Sequence, residues 1–308
     1  MQMSRGFSDL LSQVSKCSTK KLSVAVAQDK AVLEAVKAAK DRKIADSILV
    51  GDEAKIREIA ASIQMDLTDY EIINEPDMVE ASLKAVSLVH EGKADMYMKG
   101  LLDSKTFLKS VLNKEVGLRT GAPLSHVCVF EIPGIDRLLF LTDVAFMPYP
   151  TLEDKVCIIN YTVEVAKACG VECPKVAPLA AVEVVNPKMP VTMDAAELTK
   201  MNEEGTIKDC IVDGPLSLDI ALYKEAAAEK GALNRKVAGD ADILLFPDIH
   251  AGNLVYKAIV HMVEVKNGCI LTGTQAPVIL TSRSDTFETK VNSIALAAVV
   301  AEQMKKNK

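Results

Sequence analysis

The chain has 308 residues, 49% of them apolar, with a formal net charge of -6 and a pI near 5.4. That is enough apolar material for two buried cores at the usual roughly 100–200 residues per domain, and too acidic a balance for the basic stripe that a nucleic-acid partner demands. No uninterrupted apolar run approaches the roughly 20 residues needed to cross a bilayer, so the sequence predicts a soluble globular protein whose ligands are small and locally bound.

LSVAVA (Leu22 to Ala27) is a short β-rich run, and Asp29 behind it opens a helical pattern that carries Val32, Val36 and Ala39 on one face. The same unit recurs as SILVG (47–51) before a helix from Asp52, YEIIN (70–74) before one from Asp77, and ADMYMKG (94–100) before one from Asp103. Apolar strands alternating with helices imply a parallel sheet covered on both faces. SHVCVFEIP (125–133) and RLLFLTDV (137–144), joined by Gly134-Ile135-Asp136, read as a hairpin or a domain crossover. MPYP (147–150) is a rigid loop before a helix carrying Leu152, Val156, Ile159, Val163 and Ala166. βα alternation resumes through KVAPLAAVEVV (175–185), KDCIVDG (208–214), ADILLFPDI (241–249) and GCILTG (268–273).

In the last stretch, PVILTSRSDTFETKVNSIA (277–295), an apolar run breaks into Thr281-Ser282-Arg283-Ser284 and then starts a long helix, predicted over about 286–304. Asp285 and Glu288 stand three apart, the spacing of a capping box. Free N–H groups at that helix start, beside Ser282, Arg283 and Ser284, make a place where a phosphate could sit. An ordinary capped helix with a solvated arginine is the plain alternative. The domain boundary falls near the middle of the chain, giving 1–134 with 276–308 as one α/β domain and 135–275 as the other, each boundary to within about ten residues.

Seven cysteines, an odd number scattered through apolar runs, fit reduced thiols in the cytoplasm. Cys169 and Cys173 lack a second ligand pair, so no metal site is expected. No GxGxxG or complete Walker A is present. Lys99 and Gly100 end one strand, with Ser104, Lys105 and Thr106 in the helix behind, where ligands of open α/β sheets gather. Ser125 and His126 stand at the start of another strand, and a lone histidine there is more often structural. Asp213-Gly214-Pro215 indicates only a tight connection, whereas Gly252, before Asn253, could allow a ligand to approach the backbone closely.

Together MKGLLDSKT, TDVAFMPYPT, DGPLSLDIA, ADILLFPDIHAGNLVYK and PVILTSRSD occur in an order that resembles the phosphate acyltransferases, the phosphotransacetylase family, with TSRSD favouring the butyryl branch. The resemblance implies a two-domain α/β parallel-sheet fold like that of isocitrate and isopropylmalate dehydrogenases, with the active site in the interdomain cleft. It implies transfer of the acyl group from butyryl-CoA to phosphate, no metal or cofactor beyond CoA as substrate, and a homodimer or higher homo-oligomer. Ser282, Arg283 and Asp285 are then the catalytic candidates, while Lys99, Thr106, Ser125, His126, Asn253 and Ser284 are the phosphate- and substrate-binding ones. The aspartate of acetyl-specific relatives falls at Thr289 here, so Asp285, and after it Glu288, are substitutes for the base. An acetyl-specific enzyme and a non-catalytic acyl-CoA-sensing module, as found appended to malic enzymes, are the alternatives.

Overall fold

The computed structural model describes residues 6–16, 18–281 and 285–306. From the amino end, α1 (Phe7–Val14), β1 (Lys20–Ala25), α2 (Lys30–Asp41), β2 (Ala45–Gly51), α3 (Glu53–Ser62), β3 (Glu71–Asn74), α4 (Met78–His90), β4 (Met96–Lys99) and α5 (Ser104–Val111) alternate as expected. The hairpin β5 (Ser125–Glu131) and β6 (Leu139–Thr142) follows, then α6 (Leu152–Ala168), β7 (Lys175–Pro178), α7 (Pro190–Glu203), β8 (Ile211–Val212), α8 (Leu218–Leu222) and α9 (Lys224–Glu229). The chain continues through β9 (Ile243–Leu245), α10 (Ile249–Met262), β10 (Lys266–Thr272) and β11 (Val278–Ile279) to α11 (Phe287–Lys306). Among the described residues no helix is long and apolar enough to cross a membrane.

The helix starts follow local chemistry. Asp29, Asp52, Asp77 and Asp103 each stand in extended backbone and accept N–H bonds from the first turn behind them. Thr151 and Asp154 complete a reciprocal capping box at α6.

Two compact units result, one of residues 7–122 with 267–306, the other of 123–266 with Gly6. The chain crosses from one to the other at 6/7, 122/123 and 266/267. β5 is the antiparallel partner of β6, and a hairpin bonded along its length stays in one unit. In the first unit the strands lie in the order β3-β2-β1-β4-β11-β10, in the second β5-β6-β9-β7-β8. Neither sheet is wholly parallel, a correction to the expected architecture: β10 runs antiparallel to β11 and β5 to β6. The connections 273–277 and 132–138 are too short for the dozen or so residues that a parallel crossover needs. Gly134, at φ +87°, turns the second of them. The apolar run 175–185 is a strand only to Pro178, and Val184 and Val185 beyond it are exposed.

The last helix holds the first unit together. α11 is buried continuously from Thr289 to Ala301 and packs on α1, α2 and β11. At its far end Glu302 pairs at 2.6 Å with the buried ammonium of Lys20, which also bonds to Ser18. That bond holds the Glu302 carboxyl below its ordinary value of 4.5. A carboxylate whose folded pKa is depressed adds stability that is complete above its unfolded pKa and fades as the pH falls through the folded one. Lys20→Met keeps the side-chain volume and removes the cation. It is expected to cost about 2 kcal/mol in a chemical denaturation at pH 7, below the usual figure for a buried pair because Glu302 is partly in water. The gap between variant and parent should close as the pH drops below 4.5.

Candidate active site

The candidate residues fall into two groups, one at the carboxyl ends of the parallel strands in each unit. In the first unit Lys99 ends β4 and is buried. Gly100 follows it so closely against β1 that a Cβ would lie 2.3 Å from the Val26 carbonyl, which explains the glycine. Thr106 sits in the first turn of α5, where its hydroxyl donates to Asp103 at 2.7 Å and its amide to the same carboxylate at 2.9 Å. These bonds hold the Asp103 carboxyl below its ordinary pKa. They also direct the Thr106 hydroxyl proton to the cap.

β11 runs parallel to β4, with Ile279 opposite Met98, so the chain leaves β11 at the edge where Lys99 ends. Ser282, Arg283 and Ser284 lie outside the described residues. Thr286 stands at the start of the helix behind them, its Oγ1 accepting the Thr289 amide at 3.1 Å. Arg42 takes the Glu288 side chain in a two-point ion pair at 2.9 and 3.1 Å. That pair raises the Arg42 pKa. Asp285 stands at the loop end, its carbonyl accepting from the buried Lys290 ammonium at 2.6 Å. Thr289, at the position of the missing aspartate, is buried and donates to Asn267 Oδ1 at 2.9 Å.

In the second unit one carboxylate organises the edge. β5 is antiparallel to β6, so its first residues, Ser125 and His126, lie at the carboxyl end of β6, where both are buried. Asp143, just past β6, accepts the Ser125 hydroxyl at 3.1 Å and the His126 amide at 2.9 Å on one oxygen. Its other oxygen accepts the amides of Ala145 and Phe146, both at 2.8 Å. Asn253 then reaches back from α10 and donates to the Val144 carbonyl at 2.9 Å. Gly252 is needed here for packing: a Cβ would lie 2.3 Å from the Asp143 carbonyl, so the close approach expected for a ligand is made by the chain itself. Asp248 caps α10, and His250 Nε2 lies 2.8 Å from the exposed Tyr149 hydroxyl. Further along the edge Asp213 binds Arg235 at 2.7 and 2.8 Å and accepts the Val237 amide, so the turn read from DGP also anchors an arginine.

Asp143 was not among the residues singled out from the sequence. The signal was present: extending the hairpin register from Cys128 opposite Leu141 puts His126 opposite Asp143.

A family model described as "Phosphate acetyl/butaryl transferase" matches residues 7–80 and 75–298. The chain belongs to the phosphate acetyl/butyryl transferase family. Among curated members it is 60% identical over 299 residues to the phosphate butyryltransferase of Clostridium acetobutylicum, covering 97% of this chain and 99% of the relative. It is 57% identical over 303 residues to that of Clostridium beijerinckii, covering 98% and 100%. A solved member, a branched-chain phosphotransacylase from Enterococcus faecalis V583, aligns with a TM-score of 0.81 at 34% identity, covering 92% of this chain and 99% of that one.

Proposed function

We propose that this protein is a phosphate acyltransferase that converts butyryl-CoA and phosphate to butyryl phosphate and CoA. The observation that carries the reading is 60% and 57% identity, over nearly the whole chain, to two phosphate butyryltransferases. A phosphate oxygen bonds to the thioester carbonyl carbon, the carbonyl oxygen takes up negative charge, and collapse breaks the C–S bond to release the CoA thiolate, which is then protonated. No acyl-enzyme is required. The demands on the protein are to hold an anion against an electrophile and to stabilise the oxyanion.

Arg283, with its planar two-point donor set, suits both phosphate and oxyanion. Ser282 and Ser284 supply hydroxyls beside it, and Lys99 a positive charge at the same edge of its unit. Asp285 is the base that takes the thiol proton in the reverse direction. CoA enters as substrate, and neither a metal nor another cofactor takes part.

The test is release of CoA thiol from butyryl-CoA or acetyl-CoA with purified protein, with and without phosphate. Release is expected to require phosphate and to be roughly tenfold or more faster with butyryl-CoA, the discrimination that two methylenes in an apolar pocket supply. Faster turnover of acetyl-CoA would reassign the branch, and no turnover of either would sink the reading.

A further inference from the structure

Four donors converge on the buried Asp143 carboxylate, and they fill it: two loop amides on Oδ1, the His126 amide and the Ser125 hydroxyl on Oδ2. A carboxylate only accepts, so the direction of each bond is fixed by chemistry. The Ser125 proton lies on the line to Asp143, and the lone pairs of Oγ face elsewhere. Thr142, whose own hydroxyl donates to the His126 carbonyl at 3.2 Å, stands 3.4 Å from Ser125 and leaves this polarity undisturbed.

We propose that Asp143 is a positioning residue of the acyl transfer, acting through Ser125, whose hydroxyl it turns into a hydrogen-bond acceptor for the site. The proposal rests on the phosphate acyltransferase reading and assigns a polarity which that reading left open. A hydroxyl oxygen polarised by a buried carboxylate repels a phosphate oxygen and attracts an N–H or S–H donor. Ser125 is therefore suited to hold the N–H of a phosphate-binding cation or the thiol of CoA, and unsuited to close the anion pocket as a donor to phosphate. The same carboxylate fixes the loop whose Val144 carbonyl holds Asn253, so one group sets the strand start, the loop and the first turn of α10.

Steady-state kinetics with butyryl-CoA and phosphate on wild type, Ser125→Ala, Asp143→Asn and the double variant test this, each rate expressed per folded molecule from its circular-dichroism signal. An asparagine retains one accepting oxygen but sets an NH2 where an acceptor is needed. Each single variant is expected to lose roughly tenfold in kcat, the lower end for a hydrogen bond to a charged group, with the KM for phosphate unchanged. The double variant should be no slower than Asp143→Asn alone. A raised KM for phosphate with kcat intact in Ser125→Ala would show a donor to phosphate and overturn the proposal. Full kcat in folded Asp143→Asn, or losses that simply multiply, would leave Asp143 structural and overturn it too. If Asp143→Asn does not fold, Ser125→Ala still decides through the split between kcat and KM. A wild type that turns over nothing removes the functional reading and this proposal with it, whereas an active wild type isolates the proposal as the point of failure.

Discussion

Gly252→Ala is expected to lower both stability and turnover, although it adds one methyl group in a helix where alanine is the better helix former by about 1 kcal/mol. The new Cβ would meet the Asp143 carbonyl at 2.3 Å, with the Val144 Cα at 3.1 Å behind it. Both are main-chain atoms at the end of a bonded strand, so no side chain can swing aside. Either the first turn of α10 lifts off or the 143–146 loop moves. Overpacking of this kind costs typically 1–3 kcal/mol, and the upper end applies because backbone must shift. Relief by movement of the loop disturbs the amide bonds to Asp143, and a displacement of about 1 Å at a reacting site costs on the order of 100-fold in rate. Denaturant unfolding and kcat on the same preparation check the two effects. A variant with parental midpoint and parental rate would show that the loop accommodates the methyl and that its position is not tied to the chemistry.

Arg283→Ala is expected to abolish most phosphate-dependent CoA release, by roughly 100- to 1000-fold, the range seen when one preorganised donor to a developing oxyanion is removed. CoA binding, measured by calorimetry, should largely persist, since the loss falls on phosphate and on the transition state. Arg283→Lys restores the charge without the planar fork and should recover only part of the rate. An alanine variant with an unchanged rate would remove Arg283 from the reaction and require another cation, with buried Lys99 the first to test.

The features legible in the sequence were those decided within a few residues. Asp29, Asp52, Asp77 and Asp103 announced their helices because a cap is a contact between a side chain and an amide two or three positions on. Spacing alone did not show the rest of the start of α11: Arg42, far away in sequence, pairs with Glu288, and Thr286 accepts the Thr289 amide. Composition also could not end the strand at Pro178, because a buried apolar run and an exposed one such as Val184-Val185 read alike. In the candidate site, Lys99 and Ser125 were picked out at the end and the start of strands, whereas Asp143 was missed because two of its four partners lie 17 and 18 positions upstream. Only the hairpin register links them.

The late return of the chain to the unit of 7–122 sets the order in which the two units can be completed during synthesis. The unit of 123–266 has all its strands in one contiguous stretch, complete once residue 266 has emerged. The unit begun first must wait. Until the final forty or so residues arrive, β4 lacks the β11 neighbour that lies between it and β10, and α1 and α2 lack the helix that covers them. The amino-terminal half of that unit is thus held on the ribosome with an open sheet edge and a bare apolar face, the conditions under which nascent chains aggregate or recruit chaperones. The segment that closes it is the one that carries Arg283, so the candidate catalytic arginine arrives with the last piece of the core.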